Sequence, residues 1–144
     1  MDNMKKIVIA VDNDPTSEKI ALKGFQLGLQ LNAEITLLSV VDLTMLITES
    51  AVIPKEFADI TINDYKKNQQ ILVDTIFKDY KVRTYVEEGI PHEVILNVAK
   101  EWDADIIVLG THGRTGFSHL IMGSVAEKVI RHSEIPVFII PIKS

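Results

Sequence analysis

Cysteine is absent from the 144 residues, which excludes a disulfide framework and any thiolate metal or redox centre. Basic side chains are in the minority, 15 against 20 acidic ones, for a formal net charge of -5. A general nucleic-acid binder needs a basic face, so that class is not expected. Long hydrophobic runs are missing too. No segment approaches the ~20 apolar residues of a membrane span. Only five apolar residues follow Met1-Asp2-Asn3-Met4-Lys5-Lys6 before Asp12, too few for a signal-peptide core. The expectation is a cytoplasmic protein with no membrane or nucleic-acid partner. Glycine is sparse and uneven: four of the seven fall between Gly110 and Ser124.

What is present is an ordinary globular composition, 47% hydrophobic and 24% charged, at a length that supports one domain with a real core. Four segments read as strands buried on both faces or nearly so: Ile7–Val11, Ile35–Val41, Asp105–Leu109 and the proline-bracketed Pro136–Pro141. Val82–Glu87 alternates instead, which predicts a more exposed or edge strand. Between them the spacing predicts helices. One follows the turn residues Asp12–Ser17 and runs to about Leu31, with Ile20, Ala21, Gly24, Leu27, Gly28 and Leu31 inward. Residues 43–53 show no period and read as a loop. A long helix spans about Pro54 to Tyr80, with Phe57, Ile60, Tyr65, Leu72 and Ile76 as its apolar face. The next opens at Gly89-Ile90-Pro91 and turns Val94, Ile95, Val98, Ala99 and Trp102 inward. The last starts at Ser124, whose spacing to Glu127 is that of a capping box.

Five alternations of strand and helix imply a parallel sheet covered on both sides. The flavodoxin-like order 3-2-1-4-5 puts the alternating third strand and the proline-bracketed fifth strand at the edges. It also sets the first and fourth strands side by side with connections leaving in opposite directions, the switch point at which such sheets bind ligands. Asp12 ends one of these strands and Gly110 the other.

The stretch Gly110-Thr111-His112-Gly113-Arg114-Thr115-Gly116-Phe117-Ser118-His119-Leu120-Ile121-Met122-Gly123-Ser124 therefore joins a strand to a helix through a glycine-rich loop. Such a loop can aim backbone N–H groups at one point, and a helix N-terminus adds partial positive charge, so an anion such as phosphate is the expected guest. Gly110-x-x-Gly113, nine residues, then Gly123-Ser124 resembles the nucleotide loop of the universal stress protein family in its ATP-binding branch. Pro136-Val137, thirteen residues after Gly123, also resembles that family, and the similarity runs over the whole chain.

The resemblance implies an ATP-binding stress-response or regulatory module. The base would lie by Ala10, Val11, Asp12 and Val40. The triphosphate would lie over Leu109, Gly110, His112, Gly113, Arg114, Gly123, Ser124 and Val125, with Mg2+ riding on the phosphates. It also implies a homodimer through the fifth strand; the protein partner is unknown. Alternatives stay open at individual residues. Ser124 is a helix cap, a phosphate contact or both. Arg114 is a solvated charge or a phosphate neutraliser, and Gly116 lies outside the pattern. His119 has no second ligand at metal spacing. His92 and His132 read as surface residues, Trp102 and Met122 as packing.

No catalytic base and no protein metal site are assigned. A slow ATPase or phosphotransferase using His112 or Arg114 is the alternative to a binding module. A receiver-like signalling domain is a third, but the aspartate it needs after the third strand is replaced by Val86-Glu87-Glu88-Gly89. A P-loop would require Gly-Lys-Ser or Gly-Lys-Thr, which is absent. Adenylate-forming enzymes of related fold carry Ser-Gly-Gly or His-x-Gly-His after the first strand, and Val11-Asp12-Asn13-Asp14 has neither.

Overall fold

A computed structural model describes residues 5–46, 55–111 and 122–142. Its five strands are β1 (Lys6–Ala10), β2 (Glu34–Val41), β3 (Val82–Glu88), β4 (Ile106–Gly110) and β5 (Val137–Ile140). They form one parallel sheet in the order β3-β2-β1-β4-β5. The α-helices are α1 (Thr16–Leu31), α2 (Lys55–Leu72), α3 (Pro91–Glu101) and α4 (Ser124–His132).

The apolar runs give this sheet two buried faces. Alternate β1 residues go opposite ways: Ile7 and Ile9 join the cluster under α1 and the α2 end, while Val8 and Ala10 join the cluster under α3 and α4. The edges behave as their sequences suggest. On β3, Arg83, Thr84, Tyr85, Glu87 and Glu88 are exposed, and on β5, Phe138 is.

Helix α1 begins at a local turn in which Asp14 Oδ1 accepts the Thr16 N–H at 2.8 Å. It ends at Asn32, a left-handed residue (φ 54°, ψ 49°) whose N–H closes the last turn. Its glycines let it lie close to the sheet. A Cβ on Gly24 would stand 2.6 Å from Ile9 Cδ1, and one on Gly28 would stand 2.7 Å from Ile35 Cδ1.

The structure corrects three readings of residues 43–80. Leu43–Leu46 form a 3-10 turn rather than loop; residues 47–54, including Pro54, lie outside the described residues. The long helix is α only to Leu72 and continues as a π-helical turn, Val73–Phe77. Phe57 and Ile60 do not pack into the core but are 49% and 59% exposed. The buried stripe is Tyr65, Gln69 and Leu72. Tyr65 already reaches Asp12, beyond the end of β1, so residues 55–64 project past the sheet, where the apolar side chains of the helix have no sheet beneath them.

Gln69 keys this helix in place. Its Nε2 donates to the Tyr85 carbonyl at 2.8 Å and to Ser39 Oγ at 3.0 Å. That amide satisfies groups on two strands, as a side chain only 3% exposed must.

Candidate functional site

At the C-terminal ends of β1 and β4 the chain departs to opposite faces of the sheet, to α1 on one side and α4 on the other. This divergence opens a cavity of about 240 Å³. β1 and its extension supply Ala10, Val11 and Asp12; β2 supplies Leu38 and Val40; β4 supplies Leu109 and Gly110. The first turns of α1, α3 and α4 complete the wall with Thr16 and Ile20, Pro91 and Ile95, and Ser124 to Ala126. The volume falls short of the ~300 Å³ at the lower end of drug-sized pockets.

The floor is apolar: Ala10, Leu38, Ile95, Leu109 and Ala126 are all buried. Among the described lining residues Asp12 carries the only charged side chain. Its Oδ1 accepts the Asn13 N–H at 2.8 Å and the Tyr65 hydroxyl at 2.9 Å. The Val11 N–H beside it donates to the Leu38 carbonyl at 2.9 Å, so this end of β1 is tied to β2.

On the other side, Thr111 holds both ends of the glycine-rich loop. Its N–H donates to the Ile140 carbonyl at 3.1 Å, and its carbonyl accepts the Gly123 N–H at 2.5 Å. Its Oγ1 accepts the Ile142 N–H at 3.0 Å. Loop entry, loop exit and the segment after β5 thus meet at one buried residue.

Gly110 lines the cavity, but what would crowd a side chain there is the core. A Cβ would stand 2.7 Å from Ile20 Cδ1 and 3.1 Å from Ile142 Cγ1. Gly123 has φ -70° and ψ 162°, an extended conformation open to any residue, so backbone strain is not the reason for glycine there.

The capping-box expectation at Ser124 is overturned. Gly123 occupies the N-cap, Ser124 is the first helical residue, and among the described residues no side-chain cap bond is made. The Glu127 carboxylate turns outward instead, 2.6 Å from Arg131. The first intrahelical bond of α4 runs from the Glu127 N–H to the Gly123 carbonyl. The N–H groups of Ser124, Val125 and Ala126 therefore have no acceptor inside the helix, and a helix start with such groups favours an anion.

Of the residues assigned to the nucleotide from sequence, Ala10, Val11, Asp12, Val40, Leu109, Gly110, Gly123, Ser124 and Val125 come together around this cavity. His112, Gly113 and Arg114 lie outside the described residues, as do Gly116 and His119. Met122 is 39% exposed rather than packed. His92 is half-buried, its ring 6.5 Å from that of the exposed His132. Trp102 does pack, against the α3 and α4 cluster, with Lys6 and Arg83 each 5.6 Å from its ring centre.

Sequence reading missed Tyr65, Thr111 and the helix-start residues Thr16, Pro91 and Ile95. Tyr65 reads from sequence only as a packing residue, and nothing in its neighbourhood signals a bond to a residue 53 positions earlier. Pro91 and Ile95 were readable in principle, since a sheet of this order brings the first turn of each helix to the same end.

Among the described residues no group of three or more His, Asp or Glu converges as a metal-ligand set, and no helix is long and apolar enough to cross a membrane.

Comparison with known proteins gives concordant matches. The model of the universal stress protein family matches residues 3–141. Universal stress protein MJ0531 of Methanocaldococcus jannaschii is 30% identical over 138 residues, covering 94% of this chain and 81% of that protein. Universal stress protein MJ0577 of the same organism is 32% identical, covering 97% and 96%. The solved structure of MJ0577 superposes with a TM-score of 0.81 over 97% of each chain. A universal stress protein solved in complex with cAMP shares the fold at a TM-score of 0.65 and 16% identity, over 97% of this chain and 98% of that one.

Proposed function

The chain belongs to the universal stress protein family, and from that premise we propose that it is an ATP-binding regulatory module working in the cytoplasm. The observation that carries this reading is the pairing, in one cavity, of an apolar floor with the start of α4, whose first N–H groups have no acceptor inside the helix. A flat base suits the first and phosphate oxygens suit the second. The switch point between β1 and β4 is where a sheet of this order takes such a ligand.

The residues present fit an adenine nucleotide. Asp12 can accept from an exocyclic amino group, and the carbonyl that guanine carries in its place would face a carboxylate. Mg2+ would be held through the phosphates, since the described cavity offers a single carboxylate and that one is tied to Tyr65. When bound, the ion would supply charge neutralisation for the phosphate oxygens.

A binding module is favoured over a dedicated hydrolase. Turnover requires a group that orients water and another that stabilises the departing phosphoryl group, and the sequence offers no dedicated base and a single loop arginine, Arg114, for these roles. A homodimer through β5 belongs to the same proposal. β5 is an edge strand, and Phe138 stands 44% exposed on it, an arrangement that invites pairing.

The test is to identify, by mass spectrometry, the nucleotide released from purified protein, and to titrate stripped protein with ATP and Mg2+ in a calorimeter. ATP released, or bound on titration, supports the reading. A stripped protein that does not bind ATP overturns it.

A further inference from the structure

We propose that Tyr65, from the middle of α2, is the positioning residue that gives the site its preference for adenine over guanine, by fixing the Asp12 carboxylate. The inference rests on the nucleotide reading above and extends it to an element outside the cavity wall. Tyr65 is 6% exposed. Its hydroxyl donates to Asp12 Oδ1 at 2.9 Å, and the Asn13 N–H donates to the same oxygen at 2.8 Å. One donor belongs to the turn after β1 and the other to α2. Together they restrain, from two different elements, the rotation of the carboxylate about its χ2 torsion.

The position of Tyr65 is itself fixed. Gln69, one helical turn further on, is anchored to Ser39 Oγ and the Tyr85 carbonyl. Asn68 Nδ2 lies 3.4 Å from Ser17 Oγ at the start of α1. The helix therefore cannot slide or rotate without breaking bonds to β2 and β3, and the hydroxyl is held at the height of Asp12. An acceptor aimed in this way discriminates by chemistry. It receives a hydrogen from the amino group of adenine and opposes the carbonyl of guanine, and a loosely held carboxylate could swing away from either. Removing the hydroxyl should thus cost adenine binding and, by releasing the repulsion, leave guanine binding unchanged or tighter.

The test is a double-mutant cycle on the intact chain, using Tyr65→Phe, Asp12→Ala and the combination. ATP and GTP dissociation constants are measured by calorimetry, with urea midpoints recorded alongside. Tyr65→Phe is expected to weaken ATP binding by about tenfold, the scale of one hydrogen bond to a charged group. GTP binding should stay the same or tighten, which narrows the ratio of the two constants. In the Asp12→Ala background the same change should have no further effect on ATP. A purely structural tyrosine would lower the urea midpoint, weaken both nucleotides together and act equally in both backgrounds; that pattern overturns the role of Tyr65 alone. If wild-type protein binds ATP and GTP equally, the selectivity assigned to Asp12 fails and that of Tyr65 with it, while nucleotide binding stands. If wild-type protein binds neither, the functional reading and this inference fall together.

Discussion

Replacing Ser124 by alanine separates two roles that its position makes easy to confuse. Were the hydroxyl an N-cap, its loss would cost about 1 kcal/mol of stability. The structure puts Gly123 at the cap and Ser124 at the first helical position, exposed and making no capping bond. Alanine is a better helix former than serine by up to about 0.5 kcal/mol, so Ser124→Ala should leave stability unchanged or raise it slightly. Affinity should respond differently. A hydrogen bond to a charged phosphate contributes roughly 1.5–3 kcal/mol, so ATP should bind about 10- to 100-fold more weakly. Binding should not vanish, because the backbone N–H groups of Ser124, Val125 and Ala126 remain. Urea denaturation and calorimetric titration on the same preparations read both quantities. A loss of about 1 kcal/mol in stability with unchanged affinity would show that Ser124 caps the helix and touches no phosphate. No change in either would remove the hydroxyl from the site altogether.

Other substitutions probe the surroundings. Gly110→Ala should destabilise the fold by about 1 kcal/mol, since the new methyl group meets Ile20 and Ile142 at 2.7 and 3.1 Å; a variant more stable than wild type by thermal melting would contradict the packing role. Gln69→Leu strands Ser39 Oγ and the Tyr85 carbonyl, a loss of about 2 kcal/mol that should lower the melting temperature by roughly 4–8 °C; an unchanged melting temperature would mean that the amide is not anchoring α2. Phe138→Lys should convert the proposed dimer to monomer in light scattering at micromolar concentration, and a wild-type monomer there would dismiss the β5 interface.

The sheet was readable because its strands carry distinct signatures. β1 and β4 are continuous apolar runs buried on both faces, β3 alternates, and prolines bracket β5, so the order and the switch point follow from sequence. Gly110 and Gly123, thirteen residues apart in the sequence, could be assigned to one cavity on the same grounds. What escaped depends on distances in space. Tyr65 meets Asp12 across 53 positions, and Thr111 joins Gly123, Ile140 and Ile142 through contacts that no local pattern encodes. Gln69 did leave a trace: it falls on the helical stripe with Tyr65 and Leu72, and a polar side chain on a buried stripe marks a group that must find partners. Phe57 and Ile60 misled because amphipathic spacing says which way a side chain points but not whether the sheet extends beneath it. Ser124 and Glu127 had capping-box spacing, but Gly123, extended at the helix start, holds the cap position.

The most direct test is a calorimetric titration of ATP with Mg2+ into wild-type protein and into Gly123→Val, with circular dichroism to follow the fold. Gly123 lies between the Thr111 anchor and the first-turn N–H groups of α4, in a backbone conformation that valine can adopt. A branched side chain there blocks the approach of phosphate to those amides without straining the chain. Wild-type protein should bind ATP, and Gly123→Val should bind none while keeping its circular dichroism spectrum and melting within a few degrees of wild type. A Gly123→Val variant that binds ATP as tightly as wild type would put the nucleotide elsewhere on the molecule.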